Sequence, residues 1–176
     1  WILRLAEIYP GDIGVLSPLL LNLLLLQPGD TMFLEAGVLH AYLEGAGIEL
    51  MANSDNVIRG GLTSKHMDVE ELLSILRFEG RSVRLVAPDE TAPGQRVFHT
   101  PAEEFRLAEI LTSPGRPYRN PGSGSIELLI ILDGEGTIEA PDPLAAAKGD
   151  SLLIPASAGP YRIRGSLHLY RAFVPL

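Results

Sequence analysis

The chain has 176 residues and is 46% hydrophobic, so it is long enough to bury a core in one large or two small domains. Its net charge of −8 is spread over interspersed acids and bases, which argues against nucleic acid and anionic membranes as partners. Cysteine is absent, so disulfides and thiolate metal sites are excluded and any metal must bind His, Asp, Glu or Gln. These features predict a cytoplasmic protein.

Short apolar runs separated by glycine, proline, aspartate and asparagine predict an all-β protein. The longest run, Leu19 to Leu26, is interrupted by Asn22 and is well short of the roughly 20 residues that a membrane helix needs. The chain begins at Trp1 in strand-like sequence without a methionine, so we expect a fragment of a longer protein. The predicted strands are residues 19–26, 31–34, 41–43, 48–52, 83–85, 105–110, 126–132, 136–139, 151–154, 161–164 and 167–174.

One helix is predicted over residues 69–76. Asp68 is a favourable N-cap, Glu71 completes a capping box with it, and leucines and isoleucines in the following turns provide a stripe for burial. A second, short helix over residues 10–17 is also compatible with the sequence.

An internal repeat supports the all-β prediction. Gly29-Asp30 and Gly149-Asp150 lie 120 residues apart, which indicates two copies of one half-barrel motif. The same shift pairs Phe33 with Leu153, Leu34 with Ile154, Ala36 with Ala156 and Gly45 with Gly165. We therefore predict that residues 1–78 belong to a first barrel whose opening strands are absent, residues 79–94 form a linker, and residues 95–176 form a second barrel.

Residues 37–66, GVLHAYLEGAGIELMANSDNVIRGGLTSKH, concentrate polar and charged side chains between glycines. Apolar runs within and before this segment predict that it passes through the interior, where each charge needs a partner. In the pieces HAYLEG, ELMANSDN, RGGLT and KH it closely resembles the signature of the type I mannose-6-phosphate isomerases, zinc enzymes of the cupin superfamily. The resemblance is strong over residues 19–76 and implies barrels of the double-stranded β-helix, or jelly-roll-like, type.

His40 is the candidate metal ligand. A single histidine is weak support for a metal, and a structural histidine is the alternative. The spacing from Gly29 to His40 is similar to the second cupin motif, and the resemblance implies that His40 binds Zn²⁺ together with a glutamine, a histidine and a glutamate from earlier strands. Those three ligands have no visible counterpart here. In the second copy Pro160 replaces the histidine, so that barrel is expected to be metal-free.

Arg59 and Glu49 are the candidate catalytic residues. Arg59 precedes Gly60-Gly61, where backbone can approach a ligand closely, although a salt-bridged structural arginine is the alternative. The resemblance implies that its permanent charge stabilises an enediolate. Glu49 alternates with apolar neighbours and so points away from them, and the resemblance implies an active-site acid there.

Four further residues are candidates for substrate binding. Tyr42 follows His40 by two positions, so on a strand both would face the barrel interior, either as core or towards a sugar hydroxyl. Lys65 is either a solvated charge or, as the resemblance implies, a group near the sugar phosphate. Asn53 and Asp55 either shape a turn or contact the substrate.

The resemblance implies reversible conversion of mannose 6-phosphate to fructose 6-phosphate through a cis-enediol, with Zn²⁺ as cofactor and a small sugar phosphate as partner. It also implies a place in carbohydrate metabolism leading to GDP-mannose. Which group is the base stays open. The alternative is a noncatalytic cupin fragment that binds a sugar phosphate weakly or only maintains a fold. A cupin regulator or oxygenase is disfavoured because the sequence contains no His-x-His pair.

Overall fold

The protein was analysed as a computed structural model, which describes residues 1–54, 57–80 and 82–176. The fold is mostly antiparallel β-sheet with a few short helices, so the predicted all-β class is confirmed. The chain divides into two units. The first comprises Trp1–Gly47 and Asn53–Leu85, and the second comprises Ile48–Ala52 and Val86–Leu176. No helix in the described ranges combines the length and apolar character needed to cross a membrane.

The second unit contains one eight-stranded antiparallel sheet with the strand order β1-β2-β3-β8-β5-β6, in which β4 also pairs with β8 and β7 with β5. Its two longest strands, β5 and β8, each have 13 residues and pair along most of their length. The strands are β1 (Pro88–Ala92), β2 (Gln95–Phe98), β3 (Arg106–Leu111), β4 (Tyr118–Asn120), β5 (Glu127–Glu139), β6 (Leu144–Ala147), β7 (Ser151–Ile154) and β8 (Tyr161–Phe173).

The strands predicted at 105–110 and 151–154 form as β3 and β7, whereas β1, β2, β4 and β6 were not predicted and residues 48–52, which belong to this unit, form no strand. The predicted pair 126–132 and 136–139 forms the single strand β5, and the pair 161–164 and 167–174 forms β8. The glycines at the predicted breaks lie within the ladder, where Gly136 pairs with Gly165. A Cβ on Gly165 would lie 2.4 Å from the Glu135 carbonyl oxygen, so glycine here permits close approach of two strands.

The segment predicted as a linker contains a strand. β1 occupies residues 88–92, and Pro93-Gly94 forms the turn of a hairpin with β2. Gly94 has a φ of +81°, which suits a glycine in a tight turn. The division into residues 1–78, 79–94 and 95–176 stays a prediction.

The core of the second unit lies on one face of the sheet. Alternate residues in β5 and β8 point into it, as the two-residue period of a strand requires, and β3 contributes Ile110. Its buried apolar residues are Ile110, Tyr118, Leu129, Ile131, Ile138, Ala146, Tyr161, Ile163, Leu167 and Leu169.

The first unit contains α1 (Ile2–Ile8), a 3₁₀ helix (Ile13–Leu16), α2 (Ser17–Leu20) and α3 (Val69–Ile75). The predicted helix over residues 69–76 is confirmed as α3, and the Asp68 carboxylate accepts a hydrogen bond from the Glu71 backbone N–H at 3.0 Å. Helical turns also form near the second predicted helix. α1 was not predicted, because its sequence was interpreted as strand-like.

The five strands predicted between residues 19 and 85 do not form in the described parts of the chain, and this prediction is wrong. The sheet begins at β1, and before it only an isolated bridge joins Met32 to Leu85. A strand is stable only beside a hydrogen-bonded neighbour, and the described residues offer these segments no such ladder. Residues 19–26 are instead exposed, starting within α2 and continuing as irregular chain.

The two Gly-Asp pairs of the internal repeat form matching β-turns, while the repeat of a whole half-barrel stays a prediction. In the first, the Asp30 backbone N–H donates to the Gln27 carbonyl at 2.9 Å, and the Gln27 N–H donates to the Asp30 carboxylate at 2.8 Å. In the second, Asp150 and Ala147 make the same two bonds at 3.0 and 2.8 Å. The glycine before each aspartate has a positive φ, 91° and 94°, as a type II turn requires. The two copies therefore share local geometry as well as sequence.

Candidate functional site

The loop after Arg59 is held in place by Asp12. One carboxylate oxygen of Asp12 accepts a hydrogen bond from the Gly14 backbone N–H at 2.7 Å, which caps the 3₁₀ helix. The other oxygen accepts from the Leu62 N–H, also at 2.7 Å and 50 residues away in sequence. Leu62 has a positive φ of 51°, an unusual conformation for leucine. Asp12 therefore fixes the loop that follows Gly60-Gly61, a role that sequence reasoning missed.

The segments carrying His40 and Arg59 lie side by side. A Cβ placed on Gly60 would come within 2.5 Å of the Leu39 side chain, so the residue after Arg59 packs directly against the residue before His40. A larger residue at position 60 would force the Leu39 side chain to shift. The glycine after Arg59 thus permits close contact with the Leu39 side chain, and the predicted approach of this backbone to a ligand stays a prediction.

His40 and Tyr42 form a pair on the surface of the first unit. Their ring centroids are 6.3 Å apart with an edge-on angle of 76°. His40 Nδ1 lies 2.9 Å from the Val38 carbonyl oxygen, so the Nδ1–H tautomer donates to this carbonyl and leaves Nε2 available as a ligand. Such an orienting bond is typical of metal-binding histidines.

The expectation that this segment runs through the interior is wrong for the described chain. The side chains of His40, Arg59 and Lys65 are exposed, and Tyr42 is 76% exposed. Residues 41–43 form no strand in the part of the chain that the structure describes, so no pleat directs His40 and Tyr42 into a barrel. The cause is the same shortage of neighbouring strands that leaves residues 19–26 exposed.

The remaining predicted site residues are distributed between the two units. Asn53 and Lys65 are exposed in the first unit, and the Lys65 backbone N–H donates to the Thr63 hydroxyl at 3.1 Å in a local turn. Glu49 is exposed and belongs to the second unit. Asp55 lies outside the described residues. The proposed roles of all these residues stay predictions.

Glu35 forms an ion pair with Arg77. The Arg77 backbone N–H also donates to the Gly37 carbonyl at 3.0 Å, and a Cβ on Gly37 would lie 2.6 Å from the Ile75 carbonyl oxygen. These contacts join the C-terminal end of α3 to the start of the segment that contains His40. The ion pair between Glu35 and Arg77 therefore helps to hold the backbone that leads to His40.

The described residues do not form a complete zinc site. Tetrahedral zinc needs at least three protein ligands, and no group of three or more His, Cys, Asp or Glu side chains suited to a metal occurs in residues 1–54, 57–80 and 82–176. His40, with its oriented ring, fits as one ligand. The described residues do not fit a complete site.

A second polar cluster, which sequence reasoning missed, lies inside the sheet of the second unit. Glu127 and Arg171 are only 1% and 5% exposed, and the guanidinium donates two hydrogen bonds to the carboxylate, at 2.6 and 3.0 Å. The Tyr161 hydroxyl donates to Glu127 at 2.6 Å, and the Asn120 amide donates to both carboxylate oxygens at 3.0 and 3.1 Å. Such a network satisfies each buried charge.

The network shifts the pKa values of its members. Burial works to raise the pKa of Glu127, but hydrogen bonds from Arg171, Ser123 and Tyr161 and the Arg171 charge outweigh burial and lower it. Burial, followed by the hydrogen bond to Glu127 and the Glu127 charge, raises the pKa of Tyr161. The ion pair is therefore charged at neutral pH and Tyr161 is a neutral donor to it.

The architecture and the site together define a class: a predominantly antiparallel β protein with an internal repeat, whose first copy carries a histidine beside an arginine loop. No protein-family model matches the chain. Among solved structures, mannose 6-phosphate isomerase from Salmonella typhimurium, bound to fructose 6-phosphate and zinc, superposes with a TM-score of 0.87 at 35% identity. The match covers 99% of this chain and 45% of that chain.

Curated relatives give the same result. The chain is 38% identical to a probable mannose-6-phosphate isomerase of Caenorhabditis elegans over 99% of its length, and 35% identical to the Escherichia coli enzyme over 96%. In both cases it spans 43% of the relative. The resemblance seen in the sequence is thereby confirmed: the chain corresponds to the C-terminal portion of the mannose-6-phosphate isomerases.

Proposed function

We propose that this chain supplies the C-terminal part of a zinc-dependent isomerase that interconverts mannose 6-phosphate and fructose 6-phosphate. The main support is the packing of Gly60 against Leu39, which brings the Arg59 and His40 segments together in a chain similar to these isomerases over nearly its whole length. The chain spans less than half of those relatives, so the rest of the site would come from the remaining portion.

The reaction moves a proton between C1 and C2 of the sugar and passes through an enediol. Arg59 is suited to stabilising the negative charge that develops on the substrate oxygens, because a guanidinium keeps its charge and donates several hydrogen bonds. Glu49 and Tyr42 would position or relay protons at the reacting carbons. Lys65 would bind the phosphate, and Asn53 and Asp55 would contact sugar hydroxyls.

Zinc would be held in part by His40 Nε2, and the other ligands would lie in the portion of the isomerase outside this match. When bound, zinc polarises substrate oxygens without redox chemistry. The Nδ1 bond to the Val38 carbonyl supports this assignment, because it sets both the ring orientation and the tautomer.

Two residues of the Salmonella enzyme give further support. Its solved structures include alanine variants of one glutamate and one arginine that are ten positions apart in its sequence. Glu49 and Arg59 are separated by the same interval here, 59 minus 49. This agreement favours assigning both residues to the active site.

A fusion protein tests the proposal. The C-terminal portion of the E. coli isomerase is replaced by this chain, and fructose 6-phosphate formation is measured in a coupled assay. Arg59→Lys keeps the positive charge but loses the planar guanidinium and its paired N–H donors, so we expect kcat to fall about 10²- to 10³-fold. Arg4→Lys is the matched control, since Arg4 pairs with exposed Glu44, and its kcat should be unchanged. Equal activity of the Arg59→Lys variant would refute the assigned role.

A noncatalytic role for the isolated chain is favoured by one observation: in the described ranges no three metal-binding side chains cluster. We therefore expect the 176-residue chain alone to contain far less than one zinc per molecule by elemental analysis and to show no turnover. Equimolar zinc with turnover would mean that this chain holds a complete site. Cytoplasmic location and a place in GDP-mannose synthesis are part of the same proposal, supported by the acidic, cysteine-free composition and by the named relatives.

A further inference from the structure

The outer face of the sheet carries two arginines near the start of β8. Tyr161 and Ile163 point into the core of the second unit and are buried. Arg162 and Arg164 alternate with them along the strand and so lie on the opposite face of the sheet. The first is partly exposed and the second is exposed, so a dissolved ligand can reach both side chains.

The short strand β4 adds a third arginine to this face. Arg119 is exposed and lies between Tyr118 and Asn120, whose side chains are buried. In the ladder between β4 and β8, Arg119 is the direct cross-strand partner of Arg162. Like charges directly opposite each other destabilise an antiparallel pair. This pairing therefore costs free energy unless a negative charge lies near both guanidinium groups.

Glu139 is the carboxylate that pairs with these arginines. It is the cross-strand partner of Arg162 on β5, but its carboxylate lies 4.0 Å from Arg162 Nε and 3.3 Å from Arg164 Nε. The partner of Arg164 on β5 is the uncharged Thr137, and in the described residues no ion pair joins Glu135, one pair further along, to the arginines. Three positive charges minus one leave a local charge of +2, on a chain whose net charge is −8.

Two of the three guanidinium groups have unsatisfied donors. Arg162 Nε is buried and has no hydrogen-bond partner in the part of the chain that the structure describes. Among the described residues Arg119 forms neither a hydrogen bond nor an ion pair. A buried N–H without an acceptor destabilises the folded state. An anion that accepts from both arginines would satisfy these donors and neutralise the repulsion between them.

We propose that Arg119, Arg162 and Arg164 form a binding site for a phosphate group on the outer face of the second unit. Guanidinium groups bind phosphate through paired N–H donors, and such charge-assisted bonds are about twice as strong as neutral ones. The local charge of +2 is matched by a phosphate group, which carries about −1.5 to −2 at neutral pH. The site belongs to the second unit, and its residues take no part in the proposed reaction.

Nuclear magnetic resonance of the arginine Nε–H groups tests this site directly. The 176-residue chain is titrated with sodium phosphate at about pH 7 and, separately, with sodium chloride at equal ionic strength, because salt alone screens exposed charges. We expect the signals of Arg119, Arg162 and Arg164 to move along one binding curve in phosphate. Arg4, which pairs with Glu44 in the first unit, is the internal reference, and its signal should follow the chloride control.

Arg119→Gln separates this site from a general attraction of anions. Without phosphate its β8 amides should exchange no faster than those of the unchanged chain, because the cross-strand repulsion is removed. Phosphate at about ten times its Kd should slow β8 exchange about tenfold in the unchanged chain. The variant should lose this effect and bind phosphate at least about tenfold more weakly. Arg4→Gln makes the same change in net charge and should behave as the unchanged chain does.

Mannose 6-phosphate in place of inorganic phosphate identifies the source of the phosphate group. Similar shifts with both would show that the site accepts phosphate esters, and shifts with inorganic phosphate alone would restrict it to the free ion. Three results would overturn the proposal: no shift beyond the chloride control, an equally large shift of Arg4, or equal phosphate binding by Arg119→Gln and Arg4→Gln. An inactive fusion enzyme would leave this site intact, and a failed titration would leave the proposed function intact.

Discussion

Replacing Arg171 by methionine tests the buried network most severely. Arg171 donates two hydrogen bonds to Glu127, and its guanidinium also lies 4.0 Å over the Phe173 ring. Methionine fills similar volume but leaves the Glu127 carboxylate, 1% exposed, with only the neutral donors Tyr161, Asn120 and Ser123. Breaking one side of a buried ion pair costs about 3–5 kcal/mol.

Hydrogen exchange of β8 amides is the suitable assay, because it reports opening of the second unit alone. A loss of about 3–5 kcal/mol corresponds to exchange faster by roughly 10²- to 10⁴-fold. Arg116→Met is the matched control. Its guanidinium lies 3.0 Å from the Glu90 carboxylate, and the two side chains are 54% and 63% exposed. Because solvent screens such a pair, breaking it should cost at most about 1 kcal/mol.

A double variant separates charge from packing. Glu127→Gln combined with Arg171→Met removes the buried charge, and the glutamine oxygen still accepts from Tyr161. The double variant should therefore be more stable than Arg171→Met alone. The loss in the single variant should also shrink at acid pH, where Glu127 binds a proton. If Arg171→Met stays within about 1 kcal/mol of the Arg116→Met control, the account of this network is refuted.

Three further predictions concern stability. The folded-state pKa of Glu127 is lowered, so its stabilisation is present above the unfolded pKa and is lost as pH falls through the folded value. The protection factors of the β8 amides, which correct for the intrinsic exchange rate, should therefore fall below about pH 4, and protection factors that stay constant there would contradict the assignment. Asp68→Ala should destabilise α3 by about 0.5–2 kcal/mol and speed its amide exchange, whereas Asp68→Asn should retain most of the cap. Gly134→Ala should lower the melting temperature of the protein more than Gly149→Ala does. Both glycines have a positive φ, but only a Cβ on Gly134 would collide with backbone, 1.8 Å from the Ser166 carbonyl oxygen.

Local signals in the sequence predicted the elements that depend on local chemistry. The Asp68 cap, the turns at Asp30 and Asp150 and the strand β7 follow from short patterns, and each forms as expected. In the second unit, short apolar runs between turn residues also predicted the long strands correctly, because each of these strands has a neighbour to pair with.

The predictions failed where the outcome depends on partners distant in sequence. Residues 19–26 are a short apolar run of the kind that was interpreted as a strand, but a strand also needs a ladder, and the described residues supply none to this segment. The Asp12 bond to Leu62 and the pairing of Glu127 with Arg171 span 50 and 44 residues and leave no local pattern. For Asp12 the only local signal is its position before the segment IGVL, which is typical of a helix N-cap.

Turnover by the fusion of the preceding E. coli portion with this chain tests the central claim most directly. If this chain supplies the C-terminal part of the isomerase site, the purified fusion should convert mannose 6-phosphate to fructose 6-phosphate, and His40→Ala should lower its zinc content together with its kcat. A fusion whose β8 amides are protected from exchange, and which is therefore folded, but which shows no turnover would contradict the claim.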